Sequence, residues 1–246
     1  MKRFWQSPYR GSLLTVLVGL ALLLVARELP PDLSLAQVRQ AGVVKVCHPP
    51  NLPPLIERGG RGQEAELARR IARALGVEAQ FNLQAGWGLG QDPVDWGLRP
   101  ESCDLLVGGI LLERETTQLL TPLPYQESRW GLLGEGPRVG LLAPFWGADR
   151  LVLTEWLEAR GYRAAYLDDA HEGGLALRRG EVTGVLTLEA LRPVLPPLPW
   201  QPIRQLGAAQ LAVGVWKGRT TLKRAVASAL AQPAQKALPA APEDPR

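Results

Sequence analysis

Sulfur and imidazole are scarce in this 246-residue chain, which holds two cysteines, one methionine and two histidines. His48 and His171 lack the cysteine or carboxylate spacing of a zinc site, so each reads as a loop or surface residue and no metal is expected. The metalloprotease, P-loop and nucleophile-elbow signatures are all missing. Gly86, Gly88 and Gly90 repeat as G-x-G-x-G without opening an apolar helix, so they do not read as a nucleotide fingerprint, and no cofactor is expected. Charge of one sign is also lacking. The net charge is +4, and Lys2, Arg3 and Arg10 lie in a first segment without acids, so the chain has no nucleic-acid footprint. Long apolar runs are missing too. The clearest, residues 13–26, falls short of the ~20 residues a membrane span needs.

What is present is ordinary for a folded chain. Apolar residues make up 46% and charged residues 21%, and the length suits one large domain or two small ones. A basic start followed by a short apolar stretch fits a secretory signal, although no A-x-A site follows it. Residues 1–30 are therefore expected to be a signal peptide or an uncleaved anchor through 13–26. Either way the body is placed in the periplasm or another extracytoplasmic space. Export makes a Cys47–Cys103 disulfide the expected state, worth roughly 3–4 kcal/mol if unstrained, with two buried thiols as the alternative.

Along the body, strands and helices alternate. Residues 42–47 read as a strand, and 64–75 as a helix with Leu67, Ala68, Ile71, Ala72 and Leu75 on one face and Gly76 as its stop. Val77, Ala79, Phe81 and Leu83 alternate as in a half-buried strand, and 104–109 reads as a buried one. The pattern then repeats: strands at 138–143, 163–167, 182–187 and 211–217, and helices at 149–160, 171–179 and 220–232. Asp168 and Asp169 read as a helix N-cap before they read as a catalytic pair. A β-α-β order calls for parallel pairing, hence an α/β fold in two halves. The tail, 233–246, is rich in Pro and Ala and is expected to be disordered.

Several short motifs stand in a telling order. They are a helix and strand at 35–46, Leu52 with Pro53 and Pro54, Gly62 leading the acids Glu64 and Glu66, Asp104 opening a strand, Pro124 with Tyr125, and Gly214 through Gly218. In that order the chain resembles the family 3 extracytoplasmic solute-binding proteins, over about residues 34–232. The resemblance implies a two-lobed type II periplasmic-binding fold, with mixed, mostly parallel sheets flanked by helices and a ligand cleft between the lobes. It places one lobe at 31–127 plus 208–232 and the other at 128–207. The surroundings of Cys47 and of Cys103 with Asp104 are also similar to a subgroup of accessory proteins encoded with quinoprotein methanol dehydrogenases.

The departures fall where this family holds its ligand. Leu52 replaces a stacking aromatic, and Arg114 only approximates the carboxylate-clamping arginine after an apolar stretch. Phe145 and Trp146 stand in place of an anion-holding turn, so a standard α-amino acid is a doubtful ligand. Loops beyond strand ends would line the cleft with Asn51, Leu52, Trp87, Ile110, Arg114, Trp146 and Thr187, and Arg129 adds a cation that pairs with a cleft anion or with surface carboxylates. The family implies a monomeric receptor that delivers a small molecule to an ABC permease without doing chemistry. The rival is an accessory or assembly protein of a periplasmic PQQ-dependent alcohol dehydrogenase. A dehydratase on the same scaffold would have to rely on Glu113 and Glu189.

Overall fold

The computed structural model describes residues 14–21, 32–87 and 95–232. The described residues fall into two units, one within Met1–Leu33 and the other within Ser34–Arg246. In the first, residues 14–21 form helix α1, with Leu14 and Val16 well exposed. No helix among the described residues is long and apolar enough to cross a membrane. The remainder of the expected signal or anchor, and the tail 233–246, lie outside the described residues.

The second unit begins with α2 (Ser34–Ala41), β1 (Val43–His48), α3 (Gln63–Leu75), β2 (Glu78–Leu83) and β3 (Leu105–Leu111). Helix α3 buries Leu67, Ala68, Ile71, Ala72 and Leu75, the face its periodicity calls for. Each large aliphatic side chain there contributes about 2 kcal/mol. Gly76 ends the helix with φ of 77°, and its N–H donates to the carbonyls of Ala72 and Arg73. Strand β3 is buried along its whole length, which explains its unbroken apolar sequence. His48, read from sequence as a loop or surface residue, is instead the buried end of β1, where its Nδ1 lies 2.8 Å from the Pro49 carbonyl.

A short helix, α4 (Thr116–Leu119), leads into β4 (Leu120–Gly134), a 15-residue strand. Pro122 and Pro124 interrupt its sequence signal, yet both fit because, among the described residues, the first part of β4 pairs with β9 alone and needs no N–H donor on its other edge. The register shifts between Pro124 and Gln126, at Tyr125. There follow β5 (Arg138–Leu142), α5 (Arg150–Glu158), β6 (Arg163–Leu167), α6 (Ala170–Arg178) and β7 (Gly184–Leu188). Asp149 and Asp169 cap α5 and α6, accepting from the N–H groups of Val152 and Glu172. A 3-10 turn (Glu189–Val194), β8 (Trp200–Pro202), a second turn (Arg204–Leu206), β9 (Ala208–Trp216) and α7 (Thr220–Ala231) complete the unit.

The strands form one curled sheet in the order β2-β1-β3-β9-β4-β7-β5-β6, with β8 also against β4. Pairings of β1 with β2 and β3, and of β5 with β6 and β7, are parallel, whereas those made by β4 and β9 are antiparallel. β4 belongs to both halves. Leu120–Arg129 pairs with β9, and from Trp130 onward it pairs with β7 and β8.

Candidate functional site

In an α/β sheet the crevice beyond the carboxyl ends of the parallel strands is the expected ligand site. Here those ends belong to β1 and β3 in one half and to β5 and β7 in the other.

The first half builds its contribution around a buried carboxylate. After β1 the chain turns through a cis Pro53–Pro54 bond, and Leu52 and Ile56 exchange backbone hydrogen bonds of 2.7 and 2.9 Å. The turn is tied to the start of α3, because the N–H groups of Gln63 and Glu64 donate to the carbonyls of Pro54 and Leu55. This fixes Glu64 against β3 and β4. Its fully buried carboxylate accepts from the N–H of Gly108, from the N–H of Gly109 at 3.1 Å, and from the Tyr125 hydroxyl at 2.7 Å. Burial raises the Glu64 pKa, and these donors only partly oppose the shift. The Tyr125 hydroxyl is raised in turn by burial and by Glu64.

Those donors hold β3 in an unusual course. Gly108 and Gly109 have φ of 117° and 74°, a region that side chains rarely adopt. A Cβ on Gly109 would lie 2.7 Å from Leu52 Cδ2 and 2.9 Å from Phe145 Cδ1. Glycine thus lets Leu52 of the first half and Phe145 of the second close on the strand together.

The two halves then bond directly. Ile110 and Trp146 form a parallel bridge, with Trp146 N–H donating to Gly109 at 3.1 Å and Leu111 N–H donating to Trp146 at 2.9 Å. Trp146 also meets Trp96 at 5.2 Å and Trp87 at 6.0 Å between ring centroids, both edge-on, and Trp87 stacks on Trp96 at 6.0 Å. The same apolar cluster encloses Cys47 and Cys103, which the structure joins by a disulfide with Cα atoms 5.5 Å apart and 56 residues of separation. A loop of that length confers about 4 kcal/mol in the chain-entropy account. Trp216 Nε1 donates to the Cys103 carbonyl at 2.9 Å, fixing the bridge to β9.

Of the residues expected to line a cleft, Leu52, Trp87, Ile110 and Trp146 are brought together, but chiefly against other side chains of the chain itself. Thr187 is fully buried on β7, and its Oγ1 has no hydrogen-bond partner among the described residues. Asn51 and Arg114 are exposed. Arg129 is exposed on β4 beside Glu127, at 4.0 Å. Glu113 lies beside Gly147, where a Cβ would be 3.2 Å from its own Cβ, and its side chain is exposed like that of Glu189. Among the described residues no three His, Cys, Asp or Glu side chains cluster to hold a metal. Sequence reading passed over Trp96 and the roles of Gly109, Glu64 and Tyr125. The glycine pair inside an apolar strand was the available signal for a close approach.

No protein-family model matches the chain. A 96-residue stretch is 33% identical to Protein MoxJ of Methylorubrum extorquens, and it makes up 38% of this chain and 29% of that protein. Holo ArgBP from T. maritima shares the fold with a TM-score of 0.61 at 20% identity, over 79% of this chain and 92% of that one. AbpA from Streptococcus pneumoniae, an amino acid ABC transporter substrate-binding protein bound to L-arginine, gives 0.60 at 19% identity, over 79% and 90%. The ancestral amino acid-binding protein AncCDT-1, a precursor of cyclohexadienyl dehydratase, gives 0.61 at 13% identity, over 80% and 91%. At these identities the likeness establishes the fold, the two-lobed architecture of periplasmic binding proteins that the sequence resemblance implied.

Proposed function

We propose that this chain is an extracytoplasmic accessory protein on the solute-binding fold, serving a periplasmic quinoprotein alcohol dehydrogenase. The bridge between Ile110 and Trp146 carries the reading. Backbone groups at the strand ends, which this fold offers to a solute, are spent on each other, and Leu52 and Phe145 flank Gly109 where a ligand would enter. A zwitterionic amino acid needs a cation and an anion in reach. Arg114 is exposed, and the carboxylate at the strand ends, Glu64, is already bonded to Gly108, Gly109 and Tyr125. The similarity to MoxJ points the same way, although it covers 29% of that protein. In this reading the protein is a monomer that does no chemistry and presents a closed, stiff body to its partner.

Two measurements test it together. Affinity purification of the exported protein from its own periplasm is expected to bring down a quinoprotein dehydrogenase. X-ray scattering is expected to give the same radius of gyration with and without arginine. Contraction on adding a solute, with no dehydrogenase recovered, would refute the proposal.

A second reading, a receptor that delivers a small molecule to an ABC permease, has its own supporting observation. Thr187 Oγ1 and Trp96 Nε1 are buried without hydrogen-bond partners among the described residues, and a solute could satisfy them. It requires the Ile110–Trp146 bridge to open. A thermal-shift panel of amino acids, polyamines, small carboxylates and aromatic acids decides it. A ligand at 100 times its Kd adds ~2.7 kcal/mol, which in a chain of this size is about 5–10 °C.

A further inference from the structure

A second recess shares no residue with the joined strand ends. Arg129 stands on β4 just before its pairing changes from β9 to β7 and β8. The connection from β8 to β9 leaves β4 at Trp130, whose carbonyl accepts from Ile203 N–H at 2.8 Å, and returns to it at Ala208, the register partner of Arg129. Between these points the chain bows outward. The resulting recess, of about 440 Å³, is lined by Arg129, Pro202, Ile203, Arg204, Gly207 and Ala208. That volume lies in the small-molecule range of ~300–1,000 Å³.

The lining sets two arginines, Arg129 and Arg204, among apolar residues. Arg129 has Glu127 at 4.0 Å, but their side chains are 65% and 54% exposed, so the pair holds the arginine only loosely. Glu127 is also approached by Gln210 Nε2 at 3.4 Å. Arg204 makes no ion pair among the described residues. Residues 129 and 131 point to one face of β4. At Gly131 the missing side chain leaves room for the Trp200 indole, which a Cβ would meet at 2.3 Å. An aromatic surface therefore lies on the face that Arg129 shares.

We propose that this recess binds a small organic carboxylate with an apolar body. Arg129 and Arg204 take the carboxylate through their planar forks, and Pro202, Ile203 and Ala208 cover the body. Such a ligand touches β4 and the β8–β9 connection at once, where the chain passes between the half-sheets, and so stiffens that crossing. The inference is independent of the accessory reading, since it needs neither a dehydrogenase nor a closed cleft.

Titration calorimetry of the full exported protein tests it, with benzoate as the probe and benzamide as its neutral counterpart. Benzoate is expected to bind at least ten times more tightly than benzamide. Arg129→Gln and Arg204→Gln are each expected to weaken benzoate about tenfold while leaving the thermal midpoint unchanged, since both side chains are exposed. Equal binding of benzamide, full binding in the double variant, or no benzoate binding would overturn the proposal. So would a hexaglutamate peptide that binds more tightly than benzoate, because it would make the recess a dock for an acidic protein segment. None of these readouts depends on dehydrogenase recovery, so the two proposals fail separately.

Discussion

Glu64 shows how much a single buried group can organise. It is fully buried, its donors are all neutral, and burial outweighs them, so its pKa in the folded protein lies above the ordinary 4.5. A proton held more tightly in the folded state has a definite sign. The contribution is complete below the ordinary value and is lost as pH rises through the native one. Glu64→Gln keeps an acceptor oxygen for Gly109 and Tyr125 and turns its amide NH2 toward the Gly108 N–H, at a cost of about 1–3 kcal/mol. The variant's deficit in urea unfolding is expected to be largest below pH 4.5 and to narrow as pH rises through the raised native value, where the parent loses its advantage. A deficit constant across that range would remove Glu64 from the titration. His48 carries the opposite slope. Burial lowers its pKa below 6.5, so its contribution is present above that value and is lost as pH falls through the native one. His48→Gln is therefore expected to flatten the acid side of the stability profile and leave the alkaline side alone.

Strand β3 is the element on which the site turns, and two glycines separate the reasons for its course. Gly76 and Gly109 have nearly the same φ, 77° and 74°. A Cβ on Gly76 meets nothing within 4 Å, whereas on Gly109 it strikes Leu52 and Phe145. Gly76→Ala is expected to cost about 1 kcal/mol from backbone strain alone, and Gly109→Ala at least ~2 kcal/mol more from the collision. Equal losses by chemical denaturation would show that Leu52 and Phe145 yield, and that the closure at β3 is soft. The same contrast explains what could be read in the sequence. The buried face of α3, its Gly76 stop and the Asp169 cap follow from local periodicity and capping chemistry, and all three are visible in the residues. β4 was hidden because Pro122 and Pro124 break the strand signal, and only an edge that needs no N–H donor makes them acceptable. The bond from Glu64 to β3 spans 44 residues and that to Tyr125 spans 61, distances at which no local pattern informs. Leu52, Ile110 and Trp146 were expected at a cleft from the strand ends read in the sequence, whereas the bridge between Ile110 and Trp146 was not foreseen.

At the scale of the whole molecule, the question is whether the halves move. Their chain connections are β4 and the segment from β8 into β9, a geometry that permits hinge motion. Against it stand the Ile110–Trp146 bridge, Leu52 and Phe145 closed on Gly109, and the Trp87–Trp96–Trp146 cluster. Opening would expose aromatic and aliphatic surface of these side chains, each Å² costing about 25 cal/mol before any solute compensates. A receptor working by closure cannot hold its empty form shut that firmly, because a binding-competent state populated at 0.1% reduces apparent affinity a thousandfold. Native-state hydrogen exchange reads this directly. The amides of Leu111 and Trp146, which donate across the junction, are expected to exchange with free energies close to those of the β4–β9 ladder, such as Val213 and Val215. Exchange of the two junction amides several kcal/mol more easily than the ladder would mean that the halves separate while each stays folded. That outcome would return the molecule to the class of hinged receptors. Protection equal to the ladder would make the junction part of one cooperative core, as the accessory reading requires.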